Sequence, residues 1–265
     1  MKKFLVVGNP IDHSLSPALH NYWIKSNAID AIYEKQKRNE DELEQLILQV
    51  KEKKINGINV TVPFKKVIIP FLDELSIEAE STQSVNTIYL KDDKVVGHNT
   101  DIIGFETSIE KSKFNVFNKE VLILGAGGVV PSIIFALSKM KVSKIKISNR
   151  TKEKAENLKK LFKNIEIIEW GEVPNFDVII NATSLGLKKN DYINLDFSLI
   201  SKNSLFYDVI YNPRETNFLK TGKRLGNAIE NGKLMFIYQA FLAFNLWHKI
   251  EPKINNEVIR LLNHD

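Results

Sequence analysis

The string Val121-Leu122-Ile123-Leu124-Gly125-Ala126-Gly127-Gly128 sets a glycine turn directly between an apolar β run and a helical pattern. Glycine there lets the backbone approach a pyrophosphate, and the N–H groups that open the helix face it, so the chemistry on offer is dinucleotide binding. Val130 stands at the third glycine-or-alanine position of such a turn, and Pro131 follows where a missing N–H costs little. The next β run ends in Asn149, Arg150 and Thr151, at the place where an acidic residue would take a ribose 2′-OH. An arginine fork suits a 2′-phosphate instead, and Lys154 adds charge one turn on, so the string favours NADP over NAD.

A second group of polar residues recurs at strand ends. After the first strand candidate comes Gly8-Asn9-Pro10-Ile11-Asp12-His13-Ser14-Leu15-Ser16-Pro17. The hydroxyls of Ser14 and Ser16, at i and i+2, can grip a carboxylate or cap the helix after Pro17, and capping is the commoner use of serine in such a place. Asn59-Val60-Thr61-Val62-Pro63-Phe64-Lys65 closes the third strand candidate; alternation sends Asn59 and Thr61 to one face, with Lys65 beyond the strand. Ser84-Val85-Asn86-Thr87 and Gly97-His98-Asn99-Thr100-Asp101 add two amides and a carboxylate.

These residues need a scaffold, and the chain alternates short β runs with helical patterns from end to end, the signature of a mostly parallel sheet covered by helices. Strand candidates are Lys3 to Val7, Ala31 to Lys35 and Ile55 to Val62; Asn39 with Glu42 signals a helix N-terminus, and Leu43, Leu46, Ile47 and Val50 share its apolar face. Thr87 to Leu90 and Lys94 to Gly97 form a hairpin around Asp92-Asp93. Strand Val121 to Leu124, a helix to about Met140, strand Lys144 to Ser148, helix Lys152 to Phe162 and strands at Ile165 to Ile168 and Val178 to Ile180 make a βαβαβ series. Leu234 to Trp247 is apolar on nearly every face and predicts a buried helix that returns to the first domain.

At 265 residues the chain is long for one core and suits two domains, and 43% hydrophobic with 26% charged residues excludes a disordered chain. No repeat period is present. The absence of cysteine removes disulfides, thiolate nucleophiles and cysteine-held metals, and fits the cytoplasm. His13, His20, His98, His248 and His264 show no zinc spacing. The net charge of +5 does not mark a nucleic-acid protein, because Lys35 to Arg38 and Lys51 to Lys54 adjoin acidic residues as on a solvated helix face. Glycines and Pro131 interrupt the uncharged stretch Val121 to Ser138, so it is no membrane span, and Phe4 to Val7 is too short for a signal-peptide core.

Taken together, the ordered strings resemble the shikimate dehydrogenase family over nearly the whole chain. Asn181-Ala182-Thr183-Ser184-Leu185-Gly186, Asp208-Val209-Ile210-Tyr211-Asn212-Pro213 with Thr216, and Asn231-Gly232 leading to Gln239 agree with it as well. The resemblance implies a two-domain α/β fold: an N-terminal α/β substrate domain (1–102 with 234–265) plus a Rossmann-type dinucleotide-binding domain (103–233). It implies reversible NADPH-dependent reduction of 3-dehydroshikimate to shikimate, on the route to aromatic amino acids. By position, Lys65 and Asp101 resemble the catalytic pair, Ser14 and Ser16 the carboxylate grip, and Thr61, Asn86, Asp101, Tyr211 and Gln239 further substrate contacts. Gly125, Ala126, Gly127, Gly128 and Val129 resemble the cofactor turn, Asn149, Arg150, Thr151 and Lys154 the NADP selector, and Val209 and Gly232 the nicotinamide-side positions. Val129 replaces a usual alanine and Leu234 a usual glycine; Ile77 stands where the family sometimes has an acidic residue, with Glu78 beside it. Two other functions compete: a quinate/shikimate dehydrogenase using NAD, disfavoured by Asn149-Arg150, and a dinucleotide sensor without chemistry, which would need neither Lys65 nor Asp101. The partner expected is the small-molecule substrate, with neither nucleic acid nor membrane; monomer and homodimer are both open.

Overall fold

The computed structural model describes residues 1–188 and 190–262; His264 and the end of the 234–265 segment lie outside them. Among the described residues, one compact unit takes Met1–Ile102 and 237–262, the other Ile103–Phe236. Both are α/β, each with a six-stranded sheet.

In the first unit β1 (Lys2–Gly8), α1 (Ser16–Ser26), β2 (Ala31–Lys37), α2 (Leu43–Lys51), β3 (Gly57–Val60), β4 (Glu74–Leu75), α3 (Ile77–Thr82), β5 (Thr87–Lys91) and β6 (Lys94–His98) follow one another. The sheet runs β2-β1-β3-β5-β6-β4. β1 pairs in parallel with β2 and β3, while β5 is antiparallel to β3 and β6. The tight β5–β6 turn is possible because Asp92 and Asp93 take φ of 50° and 58°, the left-handed pair that a two-residue hairpin needs. On one sheet face α2 buries Leu43, Leu46, Ile47 and Val50, each contributing about 1.5–3 kcal/mol by leaving water. The Asn39 signal is real, with its N–H donating to the Glu42 carboxylate at 2.7 Å, but it opens a single 3₁₀ turn, Glu40–Glu42, ahead of α2. β3 is shorter than its apolar run. The Ile55 N–H is taken by Gln49 O at the end of α2, and Thr61 starts a turn closed by the Phe64 N–H.

α4 (Asp101–Ser112) leads into the second unit, where β7 (Glu120–Leu124), α5 (Val130–Lys139), β8 (Lys144–Ser148), α6 (Lys152–Leu161), β9 (Ile165–Ile168), β10 (Val178–Asn181), β11 (Leu205–Asp208), α7 (Asn217–Arg224) and β12 (Ala228–Asn231) follow. All strands are parallel in the order β12-β11-β10-β7-β8-β9. That is the doubly wound order with its topological switch between β7 and β10. Val121 to Leu124 are all buried, as a strand covered on both faces must be. α8 (Lys233–His248) and α9 (Asn256–Leu261) end the chain, and no residue of α8 is exposed.

α8 contributes Phe244 and Trp247 to an aromatic cluster in the first unit, around His20, Trp23 and Tyr33. His20 lies flat on Tyr33, with ring centroids 4.3 Å apart, and burial holds its pKa down at about 3 against an ordinary 6.5. Below pH 6.5 the unfolded chain therefore binds a proton that folded His20 refuses, so stability falls with pH until the folded value is reached. The expected slope from this one group is about 1.4 kcal/mol per pH unit. Melting curves between pH 7 and pH 4 should show it, and His20→Phe, which keeps a ring on Tyr33, should flatten the decline; an unchanged decline would contradict this account.

Candidate active site

Lys65 sits in the turn that follows β3, and this turn is tied down: the Lys65 carbonyl accepts the Val85 N–H at 2.8 Å, and Phe64 is buried in the core beneath. Asp101 opens α4, where a carboxylate is favoured by the helix dipole. Its N–H donates to Asn99 Oδ1 at 3.1 Å. The Lys65 ammonium donates to Asp101 Oδ2, with both side chains close to nine-tenths buried. Asp101 Oδ1 accepts the Asn86 side-chain amide at 2.9 Å. The fold thus brings together Lys65, Asn86 and Asp101 from three separate strand ends. An ammonium held in place by a carboxylate, with a little access to solvent, can give a proton to a carbonyl oxygen and take it back.

Four more candidate residues belong to the first unit. Ser14 and Ser16 stand in the loop after β1 and at the start of α1, and Ser14 Oγ accepts the Ser16 N–H at 3.3 Å. Neither serine caps α1, whose N-cap position is Leu15 with no side-chain cap bond. Thr61 follows β3, its N–H on Val7 O and its methyl against Gly8, which leads into the serine loop. Gln239 is half-buried on α8.

The second unit holds the glycine turn. Gly125 leaves β7 with φ of +111°, and a Cβ there would stand 2.9 Å from the Ala182 backbone at the end of β10, so only glycine fits. Gly127 and Gly128 are exposed at the opening of α5, and Val129 is its N-cap. The Gly125 N–H donates to Ser148 O at 2.8 Å, which ties the turn to the end of β8. Just beyond β8, Asn149 Nδ2 donates to Thr151 O at 2.7 Å, while Arg150, Thr151 and Lys154 are exposed. Val209 follows β11 and Gly232 follows β12. They meet so closely that a Cβ on Gly232 would lie 2.0 Å from Val209 O, which explains the glycine. Tyr211 stacks on Phe236 with ring centroids 4.6 Å apart. The loop that carries Val209 and Tyr211 is held by Asp208, which accepts from Thr216 Oγ1 at 2.6 Å, Ile210 N at 3.0 Å and Asn181 Nδ2 at 3.1 Å. Burial pushes the Asp208 carboxyl up to about 6 despite these donors.

A glycine cradle at the switch point of a doubly wound sheet, with exposed cations past β8, fits the phosphates of a dinucleotide. With a buried lysine–carboxylate pair in the other unit, the class of protein so defined is a nicotinamide-dependent oxidoreductase. Residues 6–88 match the family described as shikimate dehydrogenase substrate binding domain, and residues 108–215 match shikimate / quinate 5-dehydrogenase. The shikimate dehydrogenase (NADP(+)) of Pelagibacter ubique is 62% identical over 262 residues, covering 99% of each chain. Among solved structures, the shikimate dehydrogenase of Aquifex aeolicus superposes with a TM-score of 0.89 at 36% identity, over 100% of this chain and 98% of that one. The Thermus thermophilus shikimate 5-dehydrogenase, solved with NADP(H) and shikimate, gives 0.88 at 28% identity, over 99% and 97%. The chain belongs to the shikimate dehydrogenase family.

Sequence reasoning left several residues of the site without a role. Asn59, Thr87, Thr100 and Asn99 are all buried, and all bond to Asn86, to Asp101 or to a residue that does. The period-two alternation that put Asn59 on one face with Thr61 was the available signal; a polar side chain fully inside a β-strand needs a partner.

Proposed function

We propose that this chain is an NADP-dependent shikimate dehydrogenase, reducing 3-dehydroshikimate to shikimate and running in reverse, with Lys65 and Asp101 as the catalytic pair. The buried Lys65–Asp101 contact carries the reading. Bound NADPH supplies the hydride, which leaves a pair of electrons on the substrate oxygen. Lys65 donates a proton to that oxygen, and Asp101 holds the ammonium by one carboxylate oxygen while Asn86 fixes the other. In the oxidation direction the Lys65 amine takes the proton back. Ser14 and Ser16 grip the substrate carboxylate, and Thr61, Asn86, Asp101, Gln239 and Tyr211 contact the ring and its hydroxyls. Residues 1–102 and 234–265 form the substrate domain and 103–233 the cofactor domain. There Gly125, Ala126, Gly127, Gly128 and Val129 cradle the pyrophosphate, and Val209 and Gly232 adjoin the nicotinamide. Asn149, Arg150, Thr151 and Lys154 select the 2′-phosphate.

No helix among the described residues is long and apolar enough to cross a membrane. The reading places the enzyme in the cytoplasm, since NADPH is a polyanion that does not cross membranes unaided. Every residue named in this reading belongs to one chain, and a homodimer would carry two such sites.

The test is spectrophotometric: purified protein with 3-dehydroshikimate should consume NADPH, and shikimate with NADP⁺ should regenerate it; no turnover in either direction would refute the proposal. A further expectation concerns the grip. Replacing Ser14 and Ser16 together by Ala should raise the KM for shikimate by at least tenfold, since each lost hydrogen bond to a charged group costs about 1.5–3 kcal/mol. Stability should fall by about 0.5–1.5 kcal/mol, because the buried Ser16 hydroxyl also bonds Tyr33, although neither hydroxyl caps α1. An unchanged KM would contradict the grip.

A further inference from the structure

A chain of buried hydrogen bonds runs from Tyr33 on β2 to Asp101, and the orientation of its two amides can be assigned. Asn59 Nδ2 lies 3.1 Å from the Asn86 backbone carbonyl, which can only accept, so the Asn59 amide nitrogen faces that way and its Oδ1 faces the Tyr33 hydroxyl at 2.6 Å. Asn86 Oδ1 lies 2.8 Å from the Thr100 N–H, which can only donate, and Asn86 Nδ2 faces the Asp101 carboxylate. Both amides are therefore oriented by groups whose roles are fixed. Between them stands the Thr87 hydroxyl: it accepts from Asn59 Nδ2 at 3.0 Å and can donate to Asn86 Oδ1 at 3.1 Å. The bonds read Tyr33 to Asn59 to Thr87 to Asn86 to Asp101, each donating toward the carboxylate. Thr87 is fully buried and Tyr33, Asn59 and Asn86 nearly so. In such surroundings aligned bonds polarise one another and leave few alternative arrangements.

We propose that Thr87 and Asn59 are positioning residues for the Lys65–Asp101 pair, acting through Asn86, with Tyr33 anchoring the outer end. The inference rests on the reading that Lys65 and Asp101 carry the proton. Thr87 Oγ1 is the pivot. It holds the Asn86 amide so that Asp101 Oδ1 is engaged and Oδ2 is left for Lys65. Without the hydroxyl, Asn86 keeps the Thr100 N–H and the Thr100 hydroxyl but loses one of the donors that hold its Oδ1, and the carboxylate gains freedom that the reaction does not use.

The test compares Thr87→Val, which keeps the shape and removes the hydroxyl, with Thr87→Ser, which restores it, in steady-state turnover of shikimate and NADP⁺. Thr87→Val should lower kcat about tenfold, the order of one hydrogen bond, with KM for shikimate nearly unchanged, and Thr87→Ser should recover most of kcat. Tyr33→Phe keeps the ring on His20 and carries the same test should Thr87→Val be insoluble; it should lower kcat in the same direction by less. A Thr87→Val enzyme with a reduced melting temperature but normal kcat would overturn the proposal, as would a loss of kcat that Thr87→Ser fails to restore or, in the insoluble case, a normal kcat in Tyr33→Phe. Lys65→Met in the same series separates the two claims. If it loses activity while Thr87→Val does not, the catalytic pair stands and the positioning role fails; if it keeps activity, the pair itself is wrong.

Discussion

Lys65→Met should lose about 10²–10⁴-fold in kcat, the usual contribution of a positioned proton donor. Methionine keeps most of the apolar stem, so the turn anchored by Phe64 and by the Lys65 carbonyl on Val85 should survive, and the melting temperature should move little. Substrate Kd should also change far less than kcat, because the proposed binding groups Ser14, Ser16, Thr61, Asn86 and Gln239 are untouched. That pattern separates an interaction made in the transition state from one made equally with bound substrate. Removing the cation leaves Asp101 held by Asn86 and by its place at the start of α4. A variant with near-normal kcat and a raised KM would show that Lys65 only binds. Tyr211 would then be the first alternative donor to test.

Arg150→Ala should raise the KM for NADPH about 10–100-fold, the value of a lost pairing between charged groups, and leave the KM for NADH almost unchanged. The expectation follows from the position of Arg150, exposed one residue beyond Asn149 at the end of β8, with Lys154 also exposed on α6. In a doubly wound sheet the end of the second strand is where the adenosine ribose is read. Kinetics with both cofactors over a range of ionic strength would check it, since an exposed pair is screened by salt. Equal losses with NADPH and NADH would assign Arg150 to the adenine or to the fold and not to the 2′-phosphate.

The parts of this fold legible in the sequence are those where one physical demand dominates. Val121 to Leu124 reads as a strand because both its faces are covered, and Gly125 reads as a turn because the approach to Ala182 leaves no room for a Cβ. The β5–β6 hairpin shows in Asp92-Asp93 and α8 in its unbroken apolar run. Elements whose demands are shared or small were not legible. β12 contributes a single large apolar residue, Ile229, to a sheet edge; β4 has two residues and α3 six. In the site, glycines and charges signalled themselves by type, whereas the Asn59–Thr87–Asn86 chain joins residues up to 28 positions apart whose polarity depends on which backbone group each amide faces. No spacing rule encodes that. Serine's general preference for helix caps misleads at Ser14 and Ser16, because Leu15 takes the N-cap position and Pro17 already fits the first turn without a donor.

The most direct test of the central claim follows the hydride itself. NADPH carrying deuterium on the transferable position of nicotinamide C4 is incubated with the purified protein and 3-dehydroshikimate, and the product is analysed by mass spectrometry. The account predicts shikimate one mass unit heavier, labelled on the carbon that was the ketone, formed with wild-type protein and strongly reduced with Lys65→Met. Saturable binding of NADPH with no labelled shikimate would contradict it, and would leave a dinucleotide-binding protein that performs no reduction of this substrate.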